Sequence, residues 1–379
     1  MPPSVTIVAH EVGTTGGMER QLGELVRGLL ARGYRVAVVA RSCELPPQPE
    51  LRWHRIRGPR RPFPLWYAWF FVLGSLAVRR HARGLVHTTG ALVFSRADLS
   101  TVHFCHRAFA ARPDASRAGG RSLQYRLNAA IAGWMSRVAE RYCYRPAITL
   151  RLVAVSNGVA GELHDFFPGS SVSVIPNGVD TAAFAPDRAA RAQVRSELGV
   201  TDEALVALFV GGEWERKGLR YAMEALTRAP GWQLVVVGRG DRARFEALGA
   251  ELGIRERLHF EGPSTEPAPY YACADAFLLP TSYETFSLVT YEAAASGVPL
   301  LVTRVSGVDE ILEDGRNGWF IERDAHVIAK RLQELGRDEA LRRRMGEAAR
   351  QDSARFGWSS AVDAYDALYR ELAQTEEKP

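Results

Sequence analysis

Two cations of different kinds stand side by side at Arg216 and Lys217, inside "GGEWERKGL". The lysine is conspicuous because the chain has only three, Lys217, Lys330 and Lys378, against 45 arginines. An ammonium is a compact point charge and a guanidinium a planar fork, so the pair can bind phosphate oxygens in two ways. The pair follows the apolar run "ALVALFVGG" and precedes the helical pattern "YAMEALTRA". That places it at the carboxyl edge of a strand, next to a helix N-terminus, where anions bind readily. The alternative is a solvated Arg–Lys pair.

Glu284 and Glu292 form a second constellation, in "ETFSLVTYE" after the strand and short turn "AFLLPTSY". Glu284 then sits at a strand's carboxyl edge, and Glu292 about two turns along the following helix. A helix beginning near Thr285 offers the backbone N–H groups of Phe286, Ser287 and Leu288 to an anion. Carboxylates repel phosphate, so near one they would accept hydrogen bonds from hydroxyls instead. A ribose and a hexose on either side of a diphosphate present such hydroxyls. Two exposed helix residues are the alternative. In "EVGTTGG", Gly13, Gly16 and Gly17 lie where the first strand turns into the first helix, so backbone there can approach a ligand closely. Neither this turn nor "VVVGRGD" completes G-x-G-x-x-G, which argues against a dinucleotide site. His103, in "TVHFCHRAF", ends a strand; His106 competes with it, and a structural histidine is the alternative.

The elements that must position these residues alternate along the chain. "SVTIVAH", "YRVAVVA", "GLVHTT", "STVHFC", "RLVAVS" and "VSVIP" read as strands of a first cycle. "MERQLGELVRGLLARG" spaces Met18, Leu22, Leu25, Val26, Leu29 and Leu30 as one helix face. A second cycle has "ALVALFVGG", "QLVVVGRGD", "LHFEG", "AFLLP" and "PLLVT" as strands. Strand–helix alternation implies parallel sheets. The 379 residues suit two α/β domains, each doubly wound and Rossmann-like, facing each other across a cleft. "VDTAAFAPDRAA", around 179–190, has no strand pattern and marks the linker. The expected division is 1–183 and 184–357, with a closing helix over 358–379.

Composition narrows the class. Hydrophobic residues make up 46% and charged residues 24%, as in a soluble globular protein. Cys43, Cys105, Cys143 and Cys273 form no C-x-x-C pair and fit buried thiols in a reducing compartment. The N-terminus has no basic segment leading into a long apolar one, so no signal peptide is expected. Residues 1–150 hold 22 arginines against 8 acidic residues, while 151–379 hold 26 basic against 35 acidic. The basic half is expected to face something anionic, such as lipid headgroups or a phosphorylated acceptor, unless it is simply a solvated surface. Nucleic acid is not expected, because the arginines do not interleave with aromatics in a known motif. "FPLWYAWFFVLGSLAV", residues 63–78, is too short to span a bilayer. It reads as a buried helix or, given the arginines flanking it, as a membrane-surface element.

Taken together, these residues resemble the retaining nucleotide-sugar glycosyltransferases of the GT-B fold, and among them glycosyltransferase family 4 (group 1 glycosyltransferases). The resemblance covers nearly the whole chain. Its most specific parts are "VSVIPNGVDTAAFAP", "YYACADAFLLPTSYETFSLVTYEAAASGVPLLVT" and "GVDEILEDGRNGWFIE", with the E-x7-E spacing of Glu284 and Glu292 as the hallmark. It implies that Arg216 and Lys217 hold the donor diphosphate, and that Glu284 binds the donor sugar with help from backbone at Phe286, Ser287 and Leu288. It further implies that Glu292 binds the ribose, that His103 lies near the reacting sugar, and that Gly16 and Gly17 approach the diphosphate or acceptor. Gly212 stands where many members have arginine, and Ser287 where glycine is usual. The resemblance implies sugar transfer from a UDP- or GDP-linked donor to a hydroxyl acceptor, without metal or cofactor, the nucleotide-sugar being a co-substrate. The charge pattern points to a lipid-linked or cell-envelope glycan as acceptor, and to a cytoplasmic enzyme peripheral to the inner face of the cell membrane. Alternatives are a soluble small-molecule acceptor, a sugar-nucleotide epimerase, and a non-catalytic nucleotide-sugar-binding module.

Overall fold

A computed structural model describes residues 4–13, 17–59, 61–112, 123–201 and 203–376. The chain forms two compact units, Met1–Asn177 with Trp358–Pro379, and Gly178–Gly357. The expected boundary at 183/184 falls a few residues inside the second unit. Phe184 is buried there, and its carbonyl accepts a hydrogen bond from Arg350 Nη1 at 2.7 Å.

The first unit contains strands β1 (Val5–Val8), β2 (Glu11–Val12), β3 (Val36–Ala40), β4 (Ser42–Cys43), β5 (Leu51–Arg55), β6 (Leu85–Thr88), β7 (Ala97–Val102), β8 (Thr149–Ala154) and β9 (Val172–Val174). Its helices are α1 (Gly17–Ala31), α2 (Phe63–His81), α3 (His106–Ala110), α4 (Leu123–Cys143) and α5 (Asn157–Phe166). Among the described residues the main sheet runs β5-β3-β1-β6-β7-β8-β9, every neighbour parallel. β1 and β3 are buried along their whole length, as valine-rich central strands covered on both faces should be. β2 pairs with β4 inside what the sequence suggests is a plain turn. Edge strand β5, "LRWHR", was not expected, because it has no apolar run and is largely exposed.

The second unit adds α6 (Arg188–Glu197), β10 (Leu205–Val210), α7 (Trp214–Lys217), α8 (Leu219–Leu226), β11 (Trp232–Val237), α9 (Arg242–Glu251), β12 (Leu258–Gly262) and α10 (Ala268–Cys273). It continues with β13 (Ala276–Leu279), α11 (Leu288–Ala295), β14 (Leu300–Thr303), β15 (Gly318–Ile321), α12 (Ala325–Arg337) and α13 (Glu339–Ser353). Its parallel sheet runs β12-β11-β10-β13-β14-β15. The order reverses where β10 meets β13, just as the first sheet reverses where β1 meets β6. Loops leaving the carboxyl ends of such strands make the usual ligand site of a doubly wound sheet.

The closing helix, α14 (Trp358–Glu376), packs on α1 and so returns to the first unit. Val362, Tyr365, Leu368, Tyr369 and Leu372 join the core of that unit. A buried polar chain ties the helix to the sheet. His87 on β6 is hydrogen-bonded through Nδ1 to the Tyr369 hydroxyl and through Nε2 to the Thr101 hydroxyl, both at 2.7 Å. The Thr101 hydroxyl also meets that of Tyr365 at 2.8 Å.

Burial lowers the pKa of His87 to about 3, so the imidazole is neutral at this junction. A base whose pKa falls on folding binds fewer protons folded than unfolded, so its stabilising contribution is present above about pH 6.5 and is lost as pH falls below it. By pH 5.5 His87 alone should lower stability by on the order of 1 kcal/mol, regained on return to pH 7.5. Thermal unfolding at the two pH values checks this. The His87→Gln variant, which cannot titrate here, should lose less stability on acidification than the wild type.

Candidate active site

The second unit's site is built from the loops after β10 and β13, at the reversal point of its sheet. The first loop places Glu213 in the left-handed region at φ 48°, then makes the single turn α7. Trp214 anchors that turn. Its ring is buried, meets Phe245 edge-on at 5.5 Å, and its Nε1 donates to the Gly211 carbonyl at 3.0 Å. Two glycines are required by contact. A Cβ on Gly211 would come within 2.5 Å of Lys217 Cδ, and one on Gly218 within 2.1 Å of the Pro280 carbonyl oxygen. Gly211 therefore leaves room for the lysine stem, and Gly218 lets the two loops touch.

Lys217 is only 8% exposed. Its Nζ donates to Glu284 Oε1 at 2.7 Å. The same oxygen accepts from the Thr281 hydroxyl at 3.0 Å and from Arg216 Nη1 at 3.3 Å. Arg216 also donates from Nε to Glu213 Oε2 at 3.0 Å and from Nη1 to the Tyr283 carbonyl. The Arg216 carbonyl accepts from the Ser282 N–H at 3.0 Å, which locks the loops in register. Lysine, rather than arginine, is explained by this slot: a thin stem passes under Gly211 and ends in one point charge. Lys330, by contrast, is exposed on α12.

α11 begins at Leu288, later than the start near Thr285 that the sequence suggests. Ser287 precedes it at φ 63°, its carbonyl accepting from the Thr290 N–H and its hydroxyl paired with that of Thr290, both at 2.8 Å. The positive φ interrupts the helix that the propensity of "ETFSL" would extend. Phe286 is buried with its ring stacked on Tyr291, 4.2 Å between centroids, so it can offer a ligand only backbone. Glu292 is buried on α11 and takes a hydrogen bond from the Tyr271 hydroxyl at 2.7 Å. It is thus outside the Lys217–Glu284 ion cluster, although both carboxylates belong to the same loop-and-helix unit.

In the first unit, His103 leaves the carboxyl end of β7, and its Nε2 is hydrogen-bonded to Gln21 Oε1 on α1. With the amide oxygen accepting, the ring proton lies on Nε2 and Nδ1 is an acceptor. Nδ1 is buried and has no partner among the described residues, and burial lowers the pKa to about 4. A neutral imidazole with a bare acceptor nitrogen suits a hydroxyl. Gly17 opens α1, with nothing among the described residues within 4 Å of the position of a Cβ; Gly16 lies outside the described residues. His106 is accounted for elsewhere, since its Nδ1 meets Glu140 at 2.8 Å.

Gln21 and His10 are the residues that sequence reasoning missed. His10 follows β1, accepts at Nδ1 from Trp66 Nε1 at 3.2 Å, and has a buried Nε2 with no partner among the described residues. Phe63, Trp66, Tyr67 and Phe70 surround it, and burial lowers its pKa to about 4. The signal available was its place at the end of the first strand, opposite the aromatic face of residues 63–78.

Two family models match, "Glycosyltransferase Family 4" over residues 15–183 and "Glycosyl transferases group 1" over 190–352. A D-inositol 3-phosphate glycosyltransferase of Acidothermus cellulolyticus is 29% identical, across 95% of this chain and 86% of that one. Among solved structures, WaaG, a glycosyltransferase involved in lipopolysaccharide biosynthesis, superposes with TM-score 0.78 at 20% identity, covering 96% of this chain and 99% of that one. HepE of Anabaena, in complex with UDP-glucose, gives 0.70 at 18% identity, covering 98% and 100%. The fold is GT-B.

The slot around Lys217 makes an apparently conservative change costly. Lys217→Arg should lower stability by about 1–3 kcal/mol through overpacking against Gly211, whereas Lys330→Arg should leave it unchanged. Melting temperatures of the two variants check this, and equal values would remove the steric account of the lysine.

Proposed function

The chain belongs to the group 1 glycosyl transferases, and from that premise we propose that it transfers a sugar from a nucleotide-sugar, UDP- or GDP-linked, with retention and without a metal. The observation that carries the donor assignment is the buried contact of Lys217 with Glu284, flanked by Arg216, at the reversal point of the second sheet. Lys217 and Arg216 face the diphosphate, Glu284 the sugar hydroxyls, Glu292 the ribose, and backbone from Phe286 to Leu288 the phosphate or sugar. HepE, which shares the fold, is solved with UDP-glucose.

In the reaction the acceptor oxygen attacks the anomeric carbon on the face the diphosphate leaves. The bond from that carbon to the phosphate oxygen breaks, its electron pair stays with the phosphate, and the departing phosphate takes the acceptor's proton. No protein nucleophile is needed. Negative charge grows on the leaving group, so cations aimed at it favour the transition state over the ground state. His103, neutral and with an open acceptor nitrogen, holds a hydroxyl of the reacting sugar.

The acceptor is a lipid-linked or cell-envelope glycan met at the inner face of the cell membrane. The arginine excess of residues 1–150 supports it, as does the role in lipopolysaccharide biosynthesis stated for WaaG. A second reading, a soluble phosphorylated cyclitol, is favoured by the name of the Acidothermus relative. The same arginines would suit that anion.

Lys217→Ala should cut turnover by about 10²–10³, the usual loss of one transition-state donor, while Lys330→Ala leaves it intact. Equal activity of the two variants would sink the assignment. Glu292→Ala should chiefly raise KM for the donor, and an unchanged KM would move Glu292 off the ribose. The anomeric configuration of the product, read by NMR, tests retention.

A further inference from the structure

Helices α2 and α4 of the first unit pack against each other, and each leaves an apolar stripe in solvent. On α2 the stripe is Leu65, Trp69, Val72 and Leu76; on α4 it is Leu127, Ile131, Trp134, Val138 and Tyr142. Successive members are three or four residues apart, the spacing that holds side chains on one helix face. Leu127 and Trp134 are each 60% exposed. An amphipathic helix ordinarily turns such a stripe into the core. Here α4 buries Ser136, Ala139, Glu140 and Cys143 instead.

Among the described residues of the two helices and their ends, the exposed charges have one sign. Arg79, Arg80, Arg126 and Arg141 on the helices, and Arg83 and Arg145 just beyond them, are exposed. α2 has no acidic residue, and Glu140 is the only one of α4. Glu140 is consumed internally, its side chain 1% exposed. Its oxygens accept from the N–H groups of His106 at 2.7 Å and Arg107 at 3.1 Å, capping α3.

We infer that this helix pair docks on the surface of an anionic bilayer. The apolar stripes enter the boundary of headgroups and acyl chains, and the arginines meet lipid phosphates. A second copy of the chain fits poorly, since an isologous contact would set arginine rims against each other with no exposed acid on either helix to neutralise them. Among the described residues no helix is long and apolar enough to cross a membrane, so the pair lies along the surface. The inference deepens the proposal of a membrane-borne acceptor and rests on it for its biological sense. The opposite face of α2 encloses His10 at the carboxyl end of β1. Docking would therefore set that sheet edge beside the headgroups.

The test is sedimentation of the full-length protein with vesicles of phosphatidylcholine alone and of phosphatidylcholine mixed with phosphatidylglycerol. Binding to the mixed vesicles is expected, weakened by salt, and lowered about tenfold or more in the double variant Leu127→Gln, Trp134→Gln, which takes two large apolar groups from the interface. The variant's thermal shift with nucleotide-sugar should equal that of the wild type, since both positions belong to the first unit and the donor loops to the second. Equal binding to the two vesicle types, or unchanged binding of the double variant, would overturn the inference. A concentration-dependent dimer that the double variant dissolves would assign the face to a second copy and overturn it too. Variant-sensitive vesicle binding by a protein that shows no response to any nucleotide-sugar would uphold docking and contradict the proposed function.

Discussion

A single carboxylate oxygen, Glu284 Oε1, gathers Lys217, Thr281 and Arg216 within 3.3 Å. An ammonium as buried as that of Lys217 is tolerable only beside an opposite charge with its protons directed. The loop geometry around it follows. Gly211 clears the stem, Gly218 admits the neighbouring loop, and Trp214 pins the turn. Among the described residues Glu213 and Ser287 are the only non-glycine residues at positive φ, one in each of the two loops. Such conformations cost about 1–3 kcal/mol each and persist where the surroundings over-determine them. Strain gathered on either side of one ion pair is what a site held for a ligand, at some cost to stability, would show.

The two units use one plan for different chemistry. In each, the strand order reverses beside the first strand, and the functional groups lie on loops leaving carboxyl ends. The second unit collects charge there. The first collects neutral, buried imidazoles, His10 and His103, each with one ring nitrogen that has no partner among the described residues. Charged groups suit a diphosphate, and neutral hydrogen-bonding groups suit sugar hydroxyls. The α14 helix, tied through Tyr369 to His87, brings Val362 to Leu372 into the first unit's core.

Most of this architecture was legible because buried parallel strands announce themselves. "VALFV" and "VVV" have no other good use in a soluble protein, and the glycines after them mark the turns. β5 and β15 escaped because "LRWHR" is an exposed edge and "GWFI" sits between the polar, turn-rich "EDGRN" and the charged "ERD". The start of α11 was misplaced because propensity cannot foresee a serine held at positive φ. The rarity of lysine drew attention to Lys217, but not the reason for it, which is a contact with Gly211 across six positions of chain. Residues 63–78 read either as buried or as surface; α2 is both, one face on His10 and the other in solvent. The matching stripe of α4 carried no signal on its own, since its spacing is that of any packed helix until burial is known.

In the proposed reaction Glu284 orders the two cations while reserving its own acceptor capacity for the sugar. The most direct test is calorimetric titration of wild type and Glu284→Gln with a nucleoside diphosphate and with the matching nucleotide-sugar. Removing a negative charge beside the diphosphate should leave affinity for the free nucleotide equal or higher, while affinity for the nucleotide-sugar falls. An equal loss for both ligands would contradict the account and reduce Glu284 to a scaffold for Lys217 and Arg216.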